Sequence, residues 1–174
     1  MSETALSDFP LLRRASLGDK GVAKFGALTL ESLHEAIVLH VLGKPGDTAP
    51  TPPGGFDLRS AGPSQWFAVA PAGADQTDAF GESIFVVDQS HGRVLIRISG
   101  APVRHVLAKG TALDLHPDYF SIGAATTTLI GHIAVNLCRT GEDQFELLVL
   151  RGFAECLWDE LAGMAREFQS YTKS

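Results

Sequence analysis

Cysteine is nearly absent from this chain: Cys138 and Cys156 are the only two in 174 residues. So few thiols cannot staple a small scaffold, and both are expected as small buried side chains on neighbouring elements. Histidine is sparse as well. The six, at positions 34, 40, 91, 105, 116 and 132, form no H-x-H or H-x-x-x-H pair, so no metal site is expected. Basic residues are outnumbered, 14 against 20 acidic, for a net charge of -6. With no basic run to offset that balance, the composition argues against a nucleic-acid partner. Long hydrophobic runs are missing too. "AIVLHVL" (36–42) and "ELLVL" (146–150) are far too short to cross a bilayer, so no membrane association is expected. The opening "MSETALSDFPLLRRASLG" lacks the charged-then-apolar layout of a secretion signal, and the expected location is the cytoplasm.

Recognisable catalytic and nucleotide motifs are also missing. No nucleophile elbow, P-loop, dinucleotide fingerprint or HExxH occurs, and no two glycines stand at GxGxxG spacing ahead of a helix. What remains is an ordinary globular composition, 45% hydrophobic and 20% charged, long enough for one core.

Residues 1–30 show weak periodicity and are expected as an N-terminal arm with nothing obvious to pack on. The rest, 31–174, is expected as a single domain. Its β-branched run at 36–42 predicts a strand. "GKPGDTAPTPPGG" (43–55) holds four prolines and four glycines and predicts a long surface loop. "SQWFAVAP" (64–71) predicts a strand closed by proline, and the polar "AGADQTDAFGE" after it has room for a helical turn. Strands follow at 83–90 and 93–100, joined around His91-Gly92. In the second, Val94, Ile96 and Ile98 share one face, while Arg93, Leu95 and Arg97 share the other. That arginine face suits either solvent or an acidic partner surface.

"VLAKGTALDLHP" (106–117) places a lysine, an aspartate and a histidine within a few positions, the look of a site. Local chemistry offers a plainer account. Ser99 is a candidate N-cap, Pro102 suits a first helical turn, and Gly110 suits a left-handed position just past the end. Val103, Val106 and Leu107 form one apolar stripe, and Lys109 favours the C-terminal end of the dipole. A phosphate cradle would need its glycines before the helix, and here the order is reversed. Asp114 and His116, one residue apart, would share a face of a strand; without a pocket and a third group they are a surface pair.

Three strands are predicted next, Thr126–Ile130 and Ile133–Arg139 around a Gly131-His132 turn, then Gln144–Leu150 after "TGED". The last is apolar at nearly every position, which predicts a central strand. Residues 151–171 place Phe153, Leu157, Leu161, Met164 and Phe168 on one helical face, with Asp159 and Glu160 on the solvated side. Runs of strands with a few segregated helices give an α+β class, mainly antiparallel sheet with packed helices.

Several words in order carry a family resemblance: Gly-Pro-x-x-Trp in "AGPSQWFAVAP", then "VVDQSHGRVLIRISGAPVRHVLAKGTALDLHPDYF", then "LLVLRGFAECLWDELAGMAREF". Over roughly residues 60–170 the chain resembles the gamma subunit of heterotetrameric sarcosine oxidase. The resemblance implies part of the aminomethyltransferase (folate-binding) fold and a non-catalytic, assembly role beside alpha, beta and delta subunits. It implies a complex that demethylates sarcosine to glycine with hydrogen peroxide and passes the one-carbon unit to tetrahydrofolate. FAD, FMN, NAD, tetrahydrofolate and zinc would sit on the other subunits, leaving no catalytic, cofactor-binding or metal residue in this chain. By the same resemblance, "LDLHP" is a signature of packing. Two alternatives stand beside it: a subunit of a related four-chain oxidase or dehydrogenase of another N-methyl amino acid such as N-methylglutamate, and a stand-alone folate-binding protein. Two departures bear on the latter. Thr111 stands where related folate-fold proteins often have cysteine, and neither His132 nor Asn136 supplies the carboxylate of their longer hairpin.

Overall fold

The computed structural model describes residues 16–18, 20–74, 80 and 84–171. Ten strands, β1 Val22–Phe25, β2 Leu28–Ser32, β3 Ile37–Leu42, β4 Asp57–Gly62, β5 Gln65–Ala70, β6 Phe85–Asp88, β7 Arg93–Ser99, β8 Ala125–Ile130, β9 Ile133–Gly141 and β10 Gln144–Leu150, make two sheets. One has the order β1-β2-β7-β10-β9-β8 and the other β4-β5-β3-β6. Every pairing is antiparallel. Two α-helices, α1 Val103–Leu107 and α2 Ala154–Ala165, complete the α+β fold. No helix among the described residues is long and apolar enough to cross a membrane.

Strand alternation builds the layers. From the six-stranded sheet, Leu28, Leu30, Ile96, Ile98, Leu137, Phe145, Leu147 and Val149 face the two helices, and with Val103, Leu107, Leu157 and Leu161 they form the main core. The intervening positions face the second sheet, where Leu95 and Leu148 meet Val38, Phe67 and Val69. The outer face of the four-stranded sheet buries Val41, Phe56 and Trp66. As expected from its composition, β10 is central, flanked by β7 and β9.

The N-terminal region differs most from expectation. Residues 22–25 and 28–32 form a hairpin that docks β2 onto β7, pairing Leu30 with Ile98, so the anticipated arm boundary at 30 falls inside a strand. Lys20 continues the attachment, reaching Asp159 at 2.8 Å and Glu155 at 3.2 Å on α2. Residues 1–15 of that arm, and most of the polar stretch expected to hold a turn after β5, lie outside the described residues. β4 also had no sequence signal. It exists because its neighbours complete it: Asn136 Nδ2 donates to the Ser60 carbonyl at 2.7 Å and Thr127 Oγ1 to the Ala61 carbonyl at 3.0 Å. Gly-Pro-x-x-Trp is the β4–β5 hairpin, with Ser64 at φ 51° and Trp66 buried. Ser64 also holds the start of the Pro/Gly-rich loop, its carbonyl accepting from Gly43 N at 2.9 Å and its Oγ from Gly46 N at 3.1 Å.

The helix ends correct two further expectations. Pro102 is the N-cap residue of α1, which has no side-chain cap, so Ser99 does not play that part. Gly110 is absent from the residues with positive φ. Its requirement is steric: a Cβ there would lie 2.9 Å from Ile130 Cγ2 and 3.2 Å from Met164 Cε. Lys109 reaches away from its own helix, donating to the Met164 carbonyl at 2.8 Å, pairing with Glu167 and lying 5.0 Å from the Phe168 ring centroid. Because that side chain is partly exposed, Lys109→Ala should cost no more than about 1 kcal/mol, whereas Gly110→Val should cost several times as much through overpacking. Equal losses in thermal melts of the two variants would contradict this division.

α2 begins one turn late. Residues Arg151–Phe153 form a 3-10 turn, so Phe153 is out of phase with the helix and 53% exposed. The buried stripe is Ala154, Leu157, Trp158, Leu161 and Ala165, with Met164 and Phe168 packed at its margin. Cys156 falls on the opposite face and is exposed, contrary to the expectation of two buried thiols, while Cys138 is buried.

Candidate functional site

The stretch around Asp114 and His116 is a hydrogen-bonded loop. It is not a strand: Asp114 Oδ1 accepts from His116 N at 2.9 Å, closing an Asx turn, and Phe120 N bonds the His116 carbonyl at 2.8 Å. Leu115 and Phe120 are buried while Asp114 and His116 face outward, so the motif anchors a loop. Thr111 is engaged as well, its Oγ1 3.0 Å from that of Thr128.

The concave features lie between the two sheets. Glu31, Arg97 and Glu146 come from neighbouring strands of the larger sheet in register, and Arg59 comes from β4 opposite them. They line a cleft of about 640 Å³ together with Asp57 and Glu35. Glu146 and Arg59 are almost fully buried, with side chains 6% and 2% exposed. Arg59 Nη2 donates to Glu146 Oε2. Arg97 donates to Glu146 Oε1 through Nε at 3.0 Å and Nη2 at 2.8 Å, and its Nη1 reaches Glu31 Oε2 at 3.4 Å. Thus the arginine face of β7 meets more than solvent, although Arg97 keeps about a third of its surface exposed. It is turned onto the second sheet of its own chain.

This network consumes its own chemistry. Both oxygens of the buried Glu146 carboxylate are taken by guanidinium groups. Arg59 depends on that carboxylate, because its Nε and Nη1 have no hydrogen-bond partner among the described residues. A pterin requires a carboxylate directed at its amide and amine nitrogens; Glu146 is committed elsewhere, and Asn136 spends its amide on Ser60. Neither Glu146 nor Asn136 therefore offers a carboxylate to a pterin. Among the described residues, no group of three or more His, Cys, Asp or Glu side chains is placed to hold a metal ion.

A second, smaller cleft of about 260 Å³ opens at the other side of the sandwich, lined by His40, Gln65, Arg93, Asn136 and Leu150. Arg93 lies 4.3 Å from the Phe67 ring centroid, and Gln89 Nε2 stands 3.3 Å from His40 Nδ1. Burial pushes the His40 pKa below 6.5, and the Arg93 guanidinium pushes the same way. The fold accepts the neutral ring. As pH falls the unfolded chain takes up this proton first, so the stability contributed by His40 is full above 6.5 and is lost toward its lower folded value. A His40→Gln variant should accordingly show a flatter stability change than the parent between about pH 7.5 and 5.5. An unaltered slope would show that His40 does not couple to folding.

The two thiols test the burial assignment chemically. Burial raises the Cys138 pKa, with Glu146 and Asp57 adding to the rise and Arg59 opposing it. Iodoacetamide at neutral pH should alkylate Cys156 in the native chain and spare Cys138 until denaturant is added. Native labelling of Cys138 would mean that the inter-sheet seam opens readily.

Strand parity places Arg93 and Arg97 on one face, but the residues that decide what the face does, Arg59, Glu146 and His40, were not singled out by the sequence. The one available signal was Glu146, the only charged residue in the apolar run Gln144–Leu150.

Comparison with known proteins agrees with this architecture. The model of the sarcosine oxidase, gamma subunit family matches residues 27–167. A sarcosine oxidase subunit gamma from Corynebacterium sp. (strain P-1) is 36% identical over 114 residues, 63% of this chain and 56% of that protein. One from Arthrobacter sp. is 34% identical over 116 residues, 64% of this chain and 57% of the other. The alignments thus span little more than half the length of these relatives. Among solved structures, a chain of the heterotetrameric sarcosine oxidase from Corynebacterium sp. U-96, in complex with pyrrole 2-carboxylate, superposes with a TM-score of 0.71 at 24% identity. That match covers 88% of this chain and 91% of the other. Aminomethyltransferase T of the glycine cleavage system from Bartonella henselae shares the fold with a TM-score of 0.59 at 21% identity, covering 81% of this chain and 47% of that one. The chain belongs to the sarcosine oxidase gamma subunit family.

Proposed function

We propose that this chain is a non-catalytic, structural subunit of a cytoplasmic four-chain sarcosine oxidase. In that complex sarcosine is oxidatively demethylated to glycine, oxygen becomes hydrogen peroxide, and the one-carbon unit passes to tetrahydrofolate. The flavins FAD and FMN, NAD, tetrahydrofolate and zinc belong to the alpha, beta and delta chains. This chain supplies no catalytic, cofactor-binding or metal residue of its own. The observation that carries the reading is the Arg59–Glu146–Arg97 network: the deeply buried Glu146 carboxylate in the cleft of about 640 Å³ is spent on holding two sheets together. Membership of the gamma subunit family supports a place in such a complex.

Two measurements test it. Calorimetric titration of the purified chain with tetrahydrofolate should show no saturable heat, and micromolar binding to one site would favour a folate-binding protein instead. A screen of N-methyl amino acids against the four-chain assembly, read by peroxide release, should give its highest kcat/KM with sarcosine. A clear preference for N-methylglutamate would move the assignment to a related oxidase.

A further inference from the structure

The inner face of the larger sheet extends beyond the sheet that covers it. Leu95, Leu148, Asn136 and Thr127 stand side by side across β7, β10, β9 and β8, and the first three are buried beneath the smaller sheet. Two residues further along each strand, on the same face, come Arg93, Leu150, Ala134 and Leu129. This next row is uncovered among the described residues: Leu150 is 48% and Leu129 52% exposed, and Ala134 is exposed beside them. It crosses three strand intervals of about 4.8 Å and so runs roughly 14 Å. The described residues next to the remaining segments are seated on other faces. Leu17 packs on the helix side of the larger sheet, and Ala74, Phe80 and Ile84 pack on the outer face of the smaller one.

The row ends in a cation without a counter-ion. Arg93 lies over the Phe67 ring and donates through Nε to Gln89 Oε1, yet no carboxylate lines the 260 Å³ cleft that holds Arg93, Ala134 and Leu150. Burial lowers its pKa, with no acidic group opposing that cost. Arg97, two residues along the same face, has both Glu31 and Glu146. The same cleft also holds an unused acceptor. Asn136 is buried with its Nδ2 committed to the Ser60 carbonyl, and its Oδ1 has no partner among the described residues. An apolar row, an unopposed cation and an open acceptor together fit a polypeptide segment, which offers apolar side chains, a carboxylate and N–H groups. A small carboxylic acid could reach Arg93 but could not also cover Leu129.

We infer that the row Arg93–Leu150–Ala134–Leu129 seats a segment of a partner subunit, whose apolar side chains cover the two leucines and whose Asp or Glu pairs with Arg93. The inference rests on the four-chain reading. It is a surface for assembly, with area from the leucines and selection from the charge.

The test sets two charges at one position, Leu150→Glu and Leu150→Lys, in the affinity-tagged chain co-expressed with its three partner subunits. Both remove the same apolar contact from a half-exposed site, so both isolated variants should melt with the parent. Glutamate would satisfy Arg93 across the strand pair and repel the incoming carboxylate, whereas lysine would attract it. Recovery of partner subunits should fall at least about tenfold for Leu150→Glu and clearly less for Leu150→Lys. Hydroxyl-radical footprinting of the parent supplies a readout that needs no variant. Leu129 and Leu150 should be labelled in the isolated chain and protected in the complex. If the parent recovers no partners, the four-chain reading fails and the inference with it. Equal recovery by the parent and both variants, with unchanged footprints, would overturn the seat on this row alone. A fall of equal size in both variants would overturn the carboxylate pairing. Protection in the isolated chain that is lost on deleting residues 1–15 would overturn the inference in favour of the chain's own N-terminal segment. An isolated chain that is dimeric as the parent and monomeric as the Leu150→Glu variant would overturn it in favour of a second copy.

Discussion

Glu146→Ala should destabilise the chain by about 3–5 kcal/mol, the usual penalty for leaving a buried charge without its partner. Arg59 would remain 2% exposed with its counter-ion gone, and two of its guanidinium nitrogens already lack partners among the described residues. Arg97 is less committed, being one-third exposed and also paired with Glu31, so it can turn toward water. Arg97→Ala should therefore cost much less than Glu146→Ala. The comparison separates a buried ion pair from a surface one within a single network. Removing both buried charges together, as Arg59→Met with Glu146→Leu, should recover most of the loss, since apolar replacements of similar volume remove the desolvation cost. Equilibrium urea unfolding of the parent and the three variants measures this directly. A double variant no more stable than Glu146→Ala would mean that the network has another stabilising role.

Leu157→Ala on α2 should cost about 2–5 kcal/mol through lost burial and the cavity left behind. Leu157 is wholly buried in the core that joins α2 to the larger sheet, and Trp158 and Leu161 beside it are held by their own contacts and cannot fully close the gap. Phe153→Ala is the informative control. Helical periodicity counts Phe153 in the same stripe, yet the 3-10 turn leaves it half exposed, so its truncation should cost well under half as much. Equal losses would restore a continuous helix from 151.

Those two residues also show what could be read from the chain and what could not. β3, β5, β7, β9 and β10 were legible because β-branched runs, alternation and Gly turns are local signals. α2 was legible in its body but not in its first turn, where a single change of helical type shifts the phase. The β1–β2 hairpin was hidden in short, mixed segments, VAKF and LTLES, whose stability comes from pairing with β7. β4 was hidden for the same reason, since DLRSAG becomes a strand only against β5 and the side chains of Asn136 and Thr127. The buried network is the most non-local feature. Arg59 and Glu146 are 87 residues apart, and Arg97 and Glu146 are 49 apart. Parity could place Arg97 on a face, but only the packing of the sheets shows what that face meets.

The role proposed for this chain is to build an assembly and perform no chemistry. Its most direct test is an omission experiment, in which the four-chain complex and the three remaining chains are prepared in parallel, with this chain also purified alone. Particle mass by light scattering and sarcosine-dependent peroxide release are then recorded for each. The account predicts turnover from the full complex, none from the isolated chain, and three chains that fail to hold a stable particle until this one is added back. Peroxide release by the isolated chain, or a three-chain particle of undiminished stability and rate, would contradict it.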